Sequence, residues 1–76
     1  MFNKGDIILI HHIDMPGYDM HAQVDVPLED FPLPALVKEC SERIIDVFWV
    51  HPVSKVHCHW HFLNKHFDKM ELLEAS

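Results

Sequence analysis

The densest run of side chains able to do chemistry is His57-Cys58-His59-Trp60-His61. On an extended strand its three histidines fall on one face and Cys58, Trp60 and Phe62 on the other, because side chains alternate. Same-side neighbours then stand about 7 Å apart, and two imidazoles at that spacing can lean onto one zinc ion with nitrogen–metal distances of about 2.0–2.1 Å. The set His57, His59 and His61 with His12 is therefore a candidate zinc site, and His11, His51 or Asp14 are further ligand sources. The alternation also has a plainer reading, in which Val56, Cys58, Trp60 and Phe62 face a core and the histidines simply face water. No Cys-x-x-Cys or His-Glu-x-x-His pattern accompanies the run. Cys58 lies between two histidines, but the alternation turns both away from its sulfur, which argues against a cysteine–histidine nucleophile.

These residues must be positioned by a very small protein. A chain of 76 residues holds one domain, with no room for a nucleotide-binding α/β fold or a two-lobed cleft. Hydrophobic residues make up 49% of it, which excludes wholesale disorder. Eight histidines are a marked excess, and full protonation would carry the formal charge from −6 to +2. With twelve acidic residues, six basic ones and Arg43 as the sole arginine, direct nucleic-acid binding is disfavoured. A basic protein partner or a cation suits such a surface better.

No apolar run approaches the roughly 20 residues of a membrane span; the longest is Ile7-Ile8-Leu9-Ile10. The opening Met1-Phe2-Asn3-Lys4-Gly5-Asp6 lacks the apolar core of a signal peptide. Together these imply a cytoplasmic, reducing setting in which Cys40 and Cys58 stay free.

The elements follow from periodicity and turn chemistry. Lys4-Gly5-Asp6 turns into a buried strand at residues 7–10, and residues 11–21 form a loop centred on Met15-Pro16-Gly17-Tyr18-Asp19. Residues 22–26 alternate with period two, as in a half-buried strand. Pro27, Pro32 and Pro34 argue against regular pairing from 27 to 34. Pro34 and the helical spacing of Leu33, Leu36 or Val37, Cys40 and Ile44 predict a short helix over 34–43. Residues 44–50 are the clearest strand: Ile45, Val47 and Trp49 share one face, and Ile44, Phe48 and Val50 the other. His51-Pro52-Val53-Ser54 turns the chain into a returning strand over 55–60, with Trp49 and Trp60 expected as cross-strand core neighbours. Residues 61–73 fit either an amphipathic helix or one helical turn followed by a closing strand at 69–73.

The opening Phe2-Asn3-Lys4-Gly5-Asp6-Ile7-Ile8-Leu9-Ile10 resembles that of small SH3-like barrels, including Tudor-like and KOW-like modules. Val47-Phe48-Trp49-Val50, residues 56–60, Phe62-Leu63-Asn64 and Glu71-Leu72-Leu73 are similar to that family's central hairpin, helical turn and last strand. Small uncharacterised SH3-like proteins of bacteriophages are also similar. The resemblance implies a mainly β, five-stranded barrel with residues 27–43 as an inserted loop carrying the helix. It would also bring His11 and His12 near the histidine strand. The same opening resembles ribonuclease toxins with an SH3-like core, but Val26-Pro27 stands where those carry Arg-Pro, which counts against RNA cleavage. A Tudor-like aromatic cage would have to draw on Tyr18, Phe48, Trp49 and Trp60, and no spacing makes them converge.

Three functions remain open. The first is a non-enzymatic, acidic protein-binding module with no cofactor, docking a basic partner through Asp25, Glu29, Asp30, Phe31, Glu39 and Glu42. In the phage-like version it would modulate or inhibit host machinery in the host cytoplasm. The second is a small zinc-binding protein. The third is a subunit of a small oligomeric hydrolase, for which a homodimer could create the concave volume that one small barrel lacks.

Overall fold

The computed structural model describes residues 2–11, 18–19, 24–53 and 55–76, with only the backbone described at 18, 19, 24 and 25. The strands are β1 (Ile7–Ile10), β2 (Tyr18–Asp19), β3 (Val24–Asp25), β4 (Leu33–Cys40), β5 (Ile44–Val50), β6 (His57–Leu63) and β7 (Met70–Glu74). Short 3-10 helices at Leu28–Asp30 and Asn64–Lys69, of one and two turns, precede β4 and β7. Among the described residues, five strands form one antiparallel sheet in the order β6-β5-β4-β1-β7, and β2 and β3 form a separate two-stranded sheet. The protein is thus mainly β. No described helix is long and apolar enough to cross a membrane.

Alternation buries one face. Ile8 and Ile10 of β1, Leu33, Ala35 and Val37 of β4, Ile45, Val47 and Trp49 of β5, Cys58 and Phe62 of β6 and Met70 of β7 make the core, closed by Val26. Phe2, Phe31, Cys40, Val56 and Phe67 pack on it half-buried. Residues 44–50 form the expected strand, with Ile45, Val47 and Trp49 inward. Cys58 is buried and Cys40 only partly so.

The helix expected over 34–43 is not formed: residues 33–40 are the central strand of the sheet. Pro34 is compatible with that strand. Val37 donates its N–H to the Asp6 carbonyl, and alternation from that bond leaves Pro34, opposite Leu9, at a position needing no donor toward β1. The described register with β5 begins only at Leu36, so no ladder bond is lost on that side. The insertion expected over 27–43 is corrected accordingly, since its residues 33–40 belong to the main sheet. Of the strand expected over 22–26, Val24 and Asp25 pair with β2; residues 22–23, like 12–17, lie outside the described ones.

The β4–β5 hairpin is closed by Ser41. Its N–H donates to the Ile44 carbonyl at 2.8 Å, and its Oγ accepts from the N–H groups of Arg43 and Ile44 at 3.3 and 3.2 Å. For residues 61–73 the turn-and-strand alternative is the one formed, because β1 supplies β7 with a ladder from Ile10–Met70 to Ile7–Glu74. Asp6 holds the other end of that pair. It is buried, and its carboxylate accepts from the N–H of Asn3 at 2.8 Å and of Ser76 at 2.9 Å. The Asn3 bond first, then the Ser76 bond, keep its pKa below the ordinary aspartate range, overcoming the opposing effect of burial.

Candidate functional site

Strand β6 carries the histidines as an edge strand. His57 stands opposite Val50, His59 opposite Phe48 and His61 opposite Asp46, all three exposed on one face. The Phe48 ring meets the imidazoles of His57 and His59 edge-on, at centroid distances of 5.5 and 5.1 Å. Two of the three histidines are thus propped on a phenyl ring.

The other proposed ligands are elsewhere. His11 sits at the end of β1 beside Glu71, 3.5 Å away, with β4 and β5 between β1 and β6. The expected approach of His11 to the histidine strand is thereby corrected: strand order puts it on the far side of the sheet. His51 is fully buried at the β5–β6 turn, and its Nδ1 accepts the Val53 N–H at 3.1 Å. His12 and Asp14 lie outside the described residues. Among the described residues, no group of three or more histidine, cysteine or carboxylate side chains is placed to hold a metal ion.

The inward face of β6 also departs from expectation. Cys58 and Phe62 are buried, but Trp60 is 43% exposed. Register places Trp60 opposite Val47 and Trp49 opposite Cys58, so the two indoles are not directly paired. As an edge residue Trp60 has no described strand on its outer side, and its ring stacks on that of His61, 6.0 Å away and 10° from parallel. Trp49 remains in the core beside His51.

These departures meet at one place. A β-bulge between Val37 and Glu39 inserts Lys38 into β4 and brings Glu39 opposite Asp46, which is itself opposite His61. The result is a shallow depression of about 430 Å³ lined by Lys38, Glu39, Asp46, Val47, His59, Trp60 and His61. Two carboxylates face each other across the ladder, an arrangement that costs stability by itself, roughly 0.2–1 kcal/mol. Among the described residues lining it, Lys38 supplies the one ammonium. Chemically the depression offers two anionic acceptors and a flat exposed indole, the combination that receives an alkylammonium or guanidinium group.

The acidic residues singled out from sequence do not make one surface. Glu29 and Asp30 lie in the turn before β4, and Phe31 is drawn half-buried onto the core. Glu39 and Glu42 are at the opposite end of β4, with Glu42 in the Ser41 turn. Six strand residues, 33–38, or roughly 20 Å, intervene between the turn before β4 and Glu39. Only the backbone of Asp25 is described, paired with Tyr18. Of this set the depression takes Glu39 alone. Asp46 is legible in the sequence as an acidic break in the apolar face of residues 44–50 and as an extension of the acidic patch with Glu39 and Glu42, whereas the bulge at Lys38 has no signal there.

No family model matches the chain, and neither the curated proteins nor the solved structures searched contain a significant match.

Proposed function

We propose that this chain is a non-enzymatic protein-binding module whose depression between β4, β5 and β6 receives a lysine or arginine side chain of a basic partner. The observation that carries this reading is the Glu39–Asp46 pair, two exposed carboxylates held opposite each other beside the Trp60–His61 stack. Their mutual repulsion is relieved when a cation enters between them, so binding recovers a cost built into the folded sheet. The formal charge of −6 adds a long-range attraction for a basic partner that speeds encounter at low salt. An open, shallow surface of this kind suits a partner's side chain better than a reaction needing excluded water.

The small SH3-like barrel implied by the sequence resemblance is part of the same proposal. It is supported by the strand order, with β1 between β7 and β4, and by the 3-10 turn that leads into the last strand. Trp60 is the natural reporter, since Trp49 is buried. Titration of the protein with an arginine-rich peptide should change indole fluorescence, and W60F should remove that change. An acidic peptide of equal length producing the same change would refute the reading.

A further inference from the structure

The outward face of the sheet carries a second pattern, which meets the depression only at His59. Antiparallel sheets with one wet face alternate apolar and polar residues, whereas strands covered on both faces read as continuous apolar runs. Ile7-Ile8-Leu9-Ile10 in β1 and Val47-Phe48-Trp49-Val50 in β5 are continuous runs, and Leu33-Pro34-Ala35-Leu36-Val37 in β4 is another. Their outward members are Ile7 and Leu9, Pro34 and Leu36, and Phe48 and Val50. They line up across the ladder, and a groove of about 230 Å³ runs among Ile7, Pro34, Leu36, Phe48 and Val50. Val50 is 42% exposed and Pro34 is exposed as well.

The ends of these cross-strand rows say what fits there. One row runs Glu74–Ile7–Leu36–Phe48–His59 from β7 to β6. The next runs Glu71–Leu9–Pro34, and carrying the Leu36–Phe48 register two residues on brings it to Val50 and then His57. Each row therefore has a glutamate at one end, a histidine at the other and apolar side chains between. β4 is the middle strand of the five. A two-fold axis parallel to β4 above this face maps β6 onto β7 and β1 onto β5. Every row then faces its own reverse, with glutamate over histidine and apolar over apolar.

We propose that the occupant of this face is a second copy of the same chain, packed sheet to sheet about that axis. The contact is isologous, each copy giving and receiving the same patch. Two rows about 7 Å apart, crossing five strands at about 4.8 Å spacing, cover on the order of 300 Å² per copy. That is well below the roughly 800 Å² per partner of a standard stable interface, so the dimer is weak and concentration-dependent. The depression adjoins the histidine end of these rows and shares His59 with them.

Sedimentation velocity of the full chain from about 10 µM to 1 mM, at fixed pH and salt, tests the proposal. The expected result is a concentration-dependent rise toward the dimer, abolished in F48D. The glutamate–histidine register is tested by a charge swap. H59E places glutamate over Glu74 and should weaken association at least fivefold, whereas H59E combined with E74K should restore it. Circular dichroism of each variant checks that it is folded. Wild-type protein that stays monomeric at 1 mM overturns the proposal, as does a dimer equally strong in H59E and in the double variant. Because peptide binding is read separately through Trp60, failure here leaves the cation-binding surface standing, and the converse also holds.

Discussion

The N–H of Ser76 donates to the Asp6 carboxylate at 2.9 Å, joining the two ends of the described chain across the β1–β7 pair. Asp6 is buried and accepts a second bond from Asn3, so only its ionised form completes the clasp. Its folded-state pKa is lowered, so the clasp contributes fully above the unfolded aspartate value and is lost as pH falls through the folded one. Thermal melts between pH 7 and pH 2 should show wild-type stability falling below about pH 4 more steeply than that of D6N. Parallel profiles for the two proteins would contradict this role.

Gly5 adds a steric condition to the same clasp. Its φ is +93°, and a Cβ there would stand 3.0 Å from the Cβ of Ser76. G5A should therefore destabilise the fold by about 1–2 kcal/mol in urea unfolding, through left-handed strain and displacement of Ser76 together.

The Ser41 hydroxyl makes two of the bonds that shape the β4–β5 turn, to the N–H groups of Arg43 and Ile44. The turn is exposed, so water replaces part of what is lost. S41A should cost about 0.5–1 kcal/mol by the same assay, with no change in the shape of the unfolding transition.

The two tryptophans should behave differently. Trp49 is 8% exposed within the core, and W49A should cost roughly 3–5 kcal/mol or prevent folding. Trp60 is 43% exposed at an edge, and W60A should cost about 1 kcal/mol or less while removing the peptide response. Equal stability losses would contradict the placement of Trp60 at the edge.

How far these features are legible in the sequence depends on whether the partner of each residue is near along the chain. Ile45, Val47 and Trp49 announce their strand by alternation, and the turn at His51 returns it to β6 within a few residues. Leu33, Ala35 and Val37 alternate just as well, but Pro34 and the spacing of Leu36 and Cys40 fit a helix equally. Only pairing with β1, some 25 residues earlier, and with β5 decides for the strand. Met70 to Glu74 is settled likewise, by distant Ile7 to Ile10. In the site, His59 and His61 are visible as an alternating pattern and Glu39 as part of an acidic set. The opposition of Glu39 to Asp46 depends on a one-residue bulge at Lys38, which shifts register without leaving a compositional trace.

The proposed cation-binding surface is tested most directly by the dissociation constant of an arginine-rich peptide for wild-type protein and for D46K, at low and at physiological salt. The account predicts that D46K weakens binding at least tenfold at low salt, that the difference narrows as salt rises, and that E29K, at the far end of β4, has little effect. Wild-type affinity in D46K at low salt, or a larger loss in E29K than in D46K, would contradict it.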